Sequence, residues 1–313
     1  MANILIRGPL LTQSGYGVHS RQIFKWAISQ GHNVNVQLMP WGITPWFTNG
    51  DYEEGLIGEI MKRSAQPKVR PDVSFQIQLP NEWDPNLANK NIGVSAIVET
   101  DICNPDWVKN CYSMDHVVVP SEFAKEVLIN SGHNGKNLSV ITECYYDSCL
   151  VDQPPFFEEP LPTKFNFLMF GQITGNESDD RKNTIQTIKW FCETFKNNKG
   201  VGLIIKTNMG TNSKIDKKNT EALLKKLVHS IRPGMNPRVY LVHGYLTQEK
   251  VSALYRDKSV KALISATRGE GFGLPLCEAA AAGLPVMATN WSGHLDFLNR
   301  GKWIKIDYSM KEV

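Results

Sequence analysis

Short apolar segments, many of them β-branched, alternate along the chain with amphipathic stretches long enough to form helices. This alternation is typical of α/β proteins, in which helices cover the faces of a parallel sheet. We therefore interpret the apolar segments as buried strands and the stretches between them as helices. The predicted strands are Asn3–Arg7, Val34–Leu38, Val73–Leu79, Val94–Glu99, His116–Val119, Leu138–Thr142, Phe165–Phe170, Val201–Thr207, Arg238–His243, Ala262–Thr267 and Val286–Thr289.

The stretches between the strands carry signals for helix ends. Gly31 follows a predicted helix over Val18–Gln30, and glycine is the preferred residue just past a helix C-terminus. Ser121 precedes another predicted helix, where its hydroxyl can cap the amide of Phe123 or Ala124. Both signals agree with the positions of the predicted strands.

The length of the chain and one proline-rich segment predict two domains. With 313 residues the chain exceeds the usual size of a single domain. Residues 152–162 contain four prolines, which prevent regular secondary structure and stiffen an extended connection. We therefore predict one domain over residues 1–152, a linker over 153–163 and a second domain over 164–313.

The formal net charge of +3 combines an acidic first half with a basic second half. A basic second half suits a polyanionic ligand such as a nucleoside diphosphate. An acidic first half disfavours nucleic acid as a partner. A chance imbalance of surface charge is the alternative interpretation.

Neither a transmembrane segment nor a secretory signal is predicted. No apolar run approaches the roughly 20 residues that a membrane-spanning helix needs. Residues 1–8 lack the regions of a signal peptide and are interpreted as a buried first strand. The six cysteines form no Cys-x-x-Cys pair, so neither a zinc site nor a disulfide framework is indicated. We therefore expect a cytoplasmic location.

The segment Arg268–Glu278 reads Arg-Gly-Glu-Gly-Phe-Gly-Leu-Pro-Leu-Cys-Glu and lies between a predicted strand and an alanine-rich helix. Its glycines let the backbone approach a ligand, and Pro275 has the first-turn position that proline prefers. The free N–H groups of the helix N-terminus attract a phosphate. Glu270 and Glu278 can accept hydrogen bonds from sugar or ribose hydroxyls. A glycine-rich turn with one helix-capping glutamate is the alternative.

Cationic side chains follow two other predicted strands of the second half. Arg181 and Lys182 lie at the start of a helix after Gly171, and Lys206 lies near the end of the next strand. Ligands of α/β sheets bind beyond the carboxyl ends of strands. Cations at this edge can neutralise the charge of a phosphate-containing ligand. Either lysine, taken alone, is compatible with a solvated surface position.

The first half offers two further sets of candidates. Gly15 and Gly17 follow the first strand, but the third glycine and the acidic residue of a dinucleotide-binding pattern are missing, so a NAD site is disfavoured. Glu99 and Asp101 lie at the end of the predicted strand Val94–Glu99, at the sheet edge where polar side chains can contact a ligand. A solvated loop is equally compatible with these two residues.

The sequence does not indicate a divalent metal. It contains no Asp-x-Asp, and its seven histidines show no ligand spacing such as His-x-x-x-His. Arg and Lys side chains are expected to supply the positive charge instead. No carboxylate presents itself as the nucleophile of a double-displacement pair.

The stretch from Arg268 through Ala-Ala-Gly-Leu-Pro-Val to Gly293 resembles the donor-binding signature of the retaining family 4 glycosyltransferases, of the group 1 type. The resemblance implies the GT-B architecture, in which two Rossmann-like, doubly wound domains face a cleft. It implies an acceptor side in residues 1–152 and a nucleotide-sugar-binding domain in 164–313. It further implies metal-independent transfer, with retention and without a cofactor, from a UDP- or GDP-sugar to a hydroxyl of a glycan, lipid or small molecule.

The resemblance also implies roles for individual residues. Glu270 would contact the transferred sugar and Glu278 the ribose. Lys182 and Lys206 would contact the phosphates and, together with Glu270, act in catalysis. Glu99 and Asp101 would act in catalysis by orienting the acceptor hydroxyl. Further implied donor contacts are Gly15, Gly17, Gly171, Arg181, Gly244, Tyr245, Leu246, Gly271, Phe272, Gly273 and Leu274.

Three departures from the family pattern leave other functions open. Gln172 stands where many members have arginine, and Cys144-Tyr-Tyr-Asp147 replaces the usual Asn-Gly-Val-Asp turn. The C-terminal part is shorter than in most members, which would leave room for a partner subunit to complete it. A catalytically silent nucleotide-sugar-binding subunit is therefore an alternative. A nucleic-acid-modifying glycosyltransferase and a Rossmann oxidoreductase are less favoured.

Overall fold

The computed structural model describes residues 1–65, 69–97, 100–173, 180–232 and 234–312. The chain divides into two compact units, Met1–Cys144 (unit 1) and the residues from Tyr145 onward (unit 2). Each unit contains a six-stranded sheet whose strand pairs are parallel within the described residues, with helices between the strands. The predicted α/β fold is therefore confirmed.

Unit 1 contains the first six strands and the first four helices of the described chain. The strands are β1 (Asn3–Gly8), β2 (Asn33–Leu38), β3 (Val73–Ile77), β4 (Lys90–Val94), β5 (His116–Val119) and β6 (Leu138–Val140). The helices are α1 (Gly15–Ser29), α2 (Leu56–Arg63), α3 (Pro105–Ser113) and α4 (Glu122–Asn130). The strands pair in the order β2-β1-β3-β4-β5-β6, so the strand order reverses between β1 and β3.

Unit 2 contains the remaining strands and helices of the described chain. The strands are β7 (Phe165–Phe170), β8 (Val201–Thr207), β9 (Arg238–His243), β10 (Val260–Ser265), β11 (Val286–Thr289) and β12 (Ile304–Ile306). The helices are α5 (Thr184–Thr194), α6 (Lys214–Ile231), α7 (Gln248–Arg256), α8 (Leu274–Ala281) and α9 (Leu295–Leu298). The order β12-β11-β10-β7-β8-β9 is that of a Rossmann sheet and reverses between β7 and β10.

The central strand β8 shows why these sequences form a doubly covered sheet. Leu203, Ile204 and Ile205 are each fully buried. Ile204 belongs to an apolar cluster with Leu254 of α7, whereas Leu203 and Ile205 belong to another cluster with Ile188 of α5. Because helices cover both faces, successive positions at the centre of the strand are apolar and the sequence shows a continuous run.

Several predicted elements match the structure. β5, β7, β8, β9 and β11 have the predicted bounds. The hydroxyl of Ser121 accepts a hydrogen bond from the amide of Ala124 at 3.1 Å, as expected for the cap of α4. α1 begins earlier than predicted, at Gly15, because the hydroxyl of Ser14 accepts a hydrogen bond from the Gly17 amide at 3.0 Å.

The prediction of a strand over Val94–Glu99 is wrong. The fourth strand of unit 1 is instead Lys90–Val94, which contains polar residues and a glycine. Asn91 is buried, and its side chain takes part in four hydrogen bonds with nearby groups of unit 1. Gly93 lies so close to Trp83 that an added Cβ would be 2.7 Å from the ring. These hydrogen bonds and this close contact form only in the tertiary structure, so the pattern of apolar residues in the sequence does not reveal the strand.

β12 is not among the predicted strands. It pairs in parallel with β11 at the edge of the unit 2 sheet. Ile304 and Lys305 are exposed and Ile306 is half-buried. The strand therefore lacks the buried apolar run by which the other strands were recognised.

The proline-rich segment packs on unit 2. The amides of Phe156 and Phe157 donate hydrogen bonds to Asp257 Oδ2 at 3.0 and 3.1 Å. Both rings, together with Leu161, pack against the apolar core that includes residues of α7 and α8. These contacts attach the segment to the same unit as β7–β12.

Candidate functional site

The loops that leave β7 and β10 meet where the strand order of unit 2 reverses. The first loop ends at Arg181 and Lys182, just before α5, and the second carries Glu270 towards α8. Lys182 Nζ donates a hydrogen bond to Glu270 Oε1, and Arg181 Nη1 lies 3.3 Å from Glu270 Oε2. Arg181 also donates to the carbonyl of Gly269 at 3.1 Å. The structure thus brings three of the predicted site residues together in one ion-paired cluster.

Glu270 is buried but ionised at neutral pH. It is 6% exposed, and burial alone would raise the pKa of its carboxyl group. The charges of Lys182 and Arg181 outweigh burial and lower the pKa of Glu270 to about 2. The side chains of Lys182 and Arg181 remain 20% and 40% exposed. The cluster therefore combines a fixed buried carboxylate with two partly accessible cations.

The backbone of Glu270 is held by residues that follow β11. Its amide donates a hydrogen bond to Ser292 Oγ at 2.8 Å, and its carbonyl accepts one from the amide of Gly293 at 2.8 Å. Ser292 is buried and has a φ of 87°, a left-handed conformation that is uncommon for serine. Sequence reasoning missed Ser292. Its only signal was its position shortly after a predicted strand.

The glycine-rich loop passes directly into α8. Gly273 caps the helix with a φ of 95°, and an added Cβ would lie 3.1 Å from Leu276 Cδ1. Pro275 lies in the first turn, as predicted. Phe272 is 4% exposed and packs on Phe297 with ring centroids 5.2 Å apart. The Phe272 side chain therefore anchors the loop in the core.

A small pocket lies beside this cluster and combines apolar walls with two charged groups. It is lined by Phe170, Lys182, Leu263, Ile264, Ser265, Glu270, Pro275 and Leu276. These residues come from the ends of β7 and β10, the loop before α5 and the start of α8. The pocket therefore lies at the edge where ligands of doubly wound sheets bind.

Glu278 differs from Glu270 in its surroundings. It lies in α8, is 7% exposed, and its Oε2 accepts a hydrogen bond from the hydroxyl of Tyr255 at 3.0 Å. Burial raises the pKa of Glu278 to about 7, and the hydrogen bond from Tyr255 opposes part of this rise. The two glutamates of the motif therefore have opposite pKa shifts. Near neutral pH, Glu270 is fully ionised and Glu278 titrates.

Lys206 is not part of the Glu270 cluster. It is 5% exposed at the end of β8, and its Nζ donates to Asn208 Oδ1 at 2.6 Å and to the carbonyl of Gly244 at 2.7 Å. Burial lowers its pKa to about 8. Gly244 has a φ of 97° and begins the turn Gly244–Leu246 after β9. Lys206 therefore fixes this turn to the end of β8.

Gly171 follows β7 and is closely packed. Its amide donates to the carbonyl of Lys206 at 3.0 Å, and an added Cβ would be 2.8 Å from Thr184 Cγ2. The amide of Gln172 donates to Thr184 Oγ1 at 3.0 Å. A glycine is therefore required here by the contact between the end of β7 and the start of α5.

The two candidate glycines of unit 1 lie in the first turn of α1. An added Cβ on Gly17 would be 2.2 Å from the carbonyl oxygen of Thr12, so only glycine fits. Gly15 has no atom within 4 Å of the corresponding position. The loop after β1 is further fixed by the buried side chain of Arg21, which donates to the carbonyls of Leu10 and Thr12 at 2.8 and 3.0 Å.

Of the two remaining unit 1 candidates, the structure describes Asp101. Asp101 is exposed, and because β4 ends at Val94, the predicted strand-end position of Asp101 is wrong. Glu99 lies outside the described residues.

The described residues contain neither a candidate metal site nor a candidate membrane span. Within those ranges, no group of three His, Cys, Asp or Glu side chains is arranged to hold a metal ion. No helix among the described elements combines the length and the apolarity needed to cross a bilayer.

Parts of the chain resemble known proteins in sequence. Residues 195–312 match the family model described as "Glycosyl transferases group 1". The serotype-specific mannosyltransferase WbdA of Escherichia coli is 34% identical over 122 residues. These residues are 39% of this chain and 13% of that protein, so the chain matches a small part of its relative's length.

Solved structures resemble the chain over nearly its whole length. Sucrose-phosphate synthase from Thermosynechococcus elongatus has a TM-score of 0.66 at 14% identity, over 98% of this chain and 86% of that chain. HepE from Anabaena, solved in complex with UDP and glucose, has a TM-score of 0.62 at 12% identity with the same coverage. At these identities the likeness shows the fold. The chain therefore has the fold of the GT-B glycosyltransferases, and its residues 195–312 carry the sequence pattern of group 1 glycosyl transferases.

Proposed function

We propose that the protein is a glycosyltransferase that moves a sugar from a UDP- or GDP-sugar to an acceptor hydroxyl, with retention and without a metal ion. The observation that carries this proposal is the cluster in which Lys182 and Arg181 hold the buried carboxylate of Glu270. The cluster lies beside the pocket at the reversal of strand order, the position where doubly wound sheets bind nucleotides.

Each part of the cluster suits one part of a nucleotide sugar. The ionised carboxylate of Glu270 accepts hydrogen bonds from sugar hydroxyls. Lys182 and Arg181 neutralise diphosphate charge, helped by the N-terminus of α8. Glu278 accepts hydrogen bonds from the ribose hydroxyls. Neutral hydroxyls are suitable partners for both glutamates, because a carboxylate accepts hydrogen bonds and does not donate them.

Retention follows from substitution on one face of the sugar. The bond between the anomeric carbon and the diphosphate oxygen breaks as the acceptor oxygen bonds to the same face. The acceptor proton passes to the departing phosphate oxygen, so no protein carboxylate has to act as a nucleophile. Lys182, Arg181 and Lys206 stabilise the charge that develops on the diphosphate.

The similar proteins suggest which donors to try first. The matched segment of WbdA belongs to a mannosyltransferase, and HepE was solved with UDP and glucose. GDP-mannose and UDP-glucose are therefore the first donors of choice. An acceptor glycan, lipid or small molecule and a cytoplasmic location complete the proposal.

Calorimetric titration with UDP and GDP, followed by incubation with GDP-mannose and UDP-glucose, tests the proposal. We expect one nucleotide to bind, slow release of free sugar from its donor, and equal rates with EDTA or Mg²⁺. The anomeric configuration of a transferred product, read by NMR, tests retention. Binding without turnover across many acceptors would identify a silent binding subunit instead. Failure of both nucleotides to bind would refute the proposal.

A further inference from the structure

Tyr255 is a buried residue of α7 with a single polar contact at the candidate site. It is 2% exposed, and its hydroxyl donates to Glu278 Oε2 at 3.0 Å. Its ring packs on Phe170, the last residue of β7, with ring centroids 5.6 Å apart. Tyr255 therefore links the end of β7 to the glutamate of α8.

The contact leaves one carboxylate oxygen of Glu278 available. The hydrogen bond engages Oε2, and Oε1 accepts no hydrogen bond from the part of the chain that the structure describes. A glutamate side chain has three rotatable bonds, so fixing one oxygen limits where the other can lie. Oε1 is therefore the oxygen of Glu278 that remains to accept a hydrogen bond from a ligand.

The groups around Glu278 come from three segments. α7 contributes Tyr255 and α8 contributes Cys277, which interacts electrostatically with Tyr255. The turn before the proline-rich segment contributes Cys149, whose carbonyl accepts hydrogen bonds from Arg256 at 2.9 and 3.1 Å. Of these groups, the Tyr255 hydroxyl is the one that the structure places in hydrogen-bond contact with Glu278.

We propose that Tyr255 is a positioning residue for nucleotide binding, which holds Glu278 by one oxygen so that the other accepts a ribose hydroxyl of the nucleoside diphosphate. This inference rests on the proposed function. Tyr255 does not touch the ligand and acts through Glu278. A merely structural tyrosine would support the core through its ring alone, whereas a positioning tyrosine needs its hydroxyl.

The hydroxyl also favours the ionised form of Glu278, which binding requires. Burial raises the pKa of Glu278 to about 7, and the Tyr255 hydroxyl lowers it from what burial alone would produce. Removing the hydroxyl is therefore expected to raise this pKa further. As the pH falls, nucleotide binding should then begin to weaken at a higher pH than in the wild type, because protonation removes the charge of the carboxylate and reduces its capacity to accept a hydrogen bond from the ribose.

The test compares Tyr255→Phe with Tyr240→Phe. Both variants lose a tyrosine hydroxyl from unit 2 and keep the ring. The Tyr240 hydroxyl contacts Thr163 Oγ1 at 2.9 Å, away from the site. UDP and GDP affinities are measured by calorimetry between pH 6 and 8.5, with Glu278→Gln and the double variant Tyr255→Phe/Glu278→Gln alongside.

The expected results distinguish positioning from packing. Tyr255→Phe should bind the nucleotide about tenfold more weakly at pH 7 and shift the pH transition upward. Tyr240→Phe should keep wild-type affinity and pH dependence. Glu278→Gln should bind weakly without a pH transition, and adding Tyr255→Phe to it should have little further effect. NMR titration of the Glu278 carboxyl should give a higher pKa in Tyr255→Phe.

Other outcomes overturn the inference and are separable from failure of the proposed function. If the wild type binds a nucleotide and Tyr255→Phe shows the same affinity and pH profile, the positioning role is wrong and the proposed function stands. Additive losses in the double variant would equally overturn it, because they would show that the Tyr255 hydroxyl acts independently of Glu278. If the wild type binds neither nucleotide, the proposed function fails and the inference fails with it.

Discussion

Lys182 and Glu270 form an ion pair between the loops that leave β7 and β10, two adjacent strands of the unit 2 sheet. The pair joins residues that are 88 positions apart in the sequence. Arg181 adds a second cation at 3.3 Å from the same carboxylate. A buried acid is thereby kept ionised beside cations that remain partly exposed.

Glu270→Ala is expected to abolish sugar transfer while nucleotide binding is largely retained. The carboxylate is proposed to contact the transferred sugar, and its loss removes hydrogen bonds to the reacting group, so the rate should fall by about a hundredfold or more. Donor turnover and UDP or GDP affinity are measured on the same preparation. Glu193→Ala, at an exposed position of α5, is the control. Equal small effects of both variants would contradict the role of Glu270.

Because of the Glu270 cluster, the free energy of unfolding is expected to depend on pH in the acid range. The pKa of Glu270 is lowered from 4.5 to about 2. The ionised carboxylate therefore stabilises the folded state fully above pH 4.5, and this stabilisation is lost as the pH falls towards 2. The shift corresponds to about 3 kcal/mol at most. Urea unfolding of the wild type and Glu270→Gln between pH 3 and 7 measures it. The difference in free energy of unfolding should shrink towards pH 3, and a constant difference would argue against the ion pair.

Glu278→Gln is expected to stabilise the ligand-free protein at pH 8 and to weaken nucleotide binding. The pKa of Glu278 is raised from 4.5 to about 7, so its contribution to stability is fully present below pH 4.5 and is lost as the pH rises through 7. Glutamine cannot ionise and avoids this loss, which is about 3 kcal/mol at most. Thermal unfolding at pH 5 and pH 8 checks the sign. A variant less stable than the wild type at pH 8 would contradict the expectation.

Gly17→Ala and Gly15→Ala form a matched pair in the first turn of α1. At Gly17 a methyl group would lie 2.2 Å from the Thr12 carbonyl oxygen, so we expect a loss of about 2 kcal/mol in the free energy of unfolding. At Gly15 nothing lies within 4 Å, so alanine should be neutral or stabilising by up to about 1 kcal/mol. Chemical unfolding of both variants is the measurement. Similar stabilities would show that the loop after β1 relaxes freely.

The pattern of apolar residues determined most of the sheet strands, because a strand buried on both faces must be apolar at nearly every position. β8 is such a strand, and its bounds could be read from the sequence, as could those of the largely apolar β7 and β9. β4 was misplaced because the burial of Asn91 depends on partners that only the folded chain brings close, among them Ser74 at 2.8 Å. The local pattern of apolar residues contains no information about buried polar side chains whose hydrogen bonds are made in the folded chain.

Some features of the candidate site could likewise be predicted from the sequence, whereas others depend on the tertiary structure. The glycine-rich loop, Pro275 at the helix start and the two glutamates were recognisable from their spacing, because they all lie within one short segment of the chain. That Lys182 pairs with Glu270 while Lys206 instead binds the carbonyl of Gly244 was decided by the strand order. β7 lies between β8 and β10, so its following loop reaches the β10 loop, and β8 reaches the turn after its other neighbour, β9. The sequence by itself determined which chemical groups lie at the carboxyl edge, and only the tertiary structure decided their partners, because contacts across a sheet depend on strand adjacency rather than on distance along the chain.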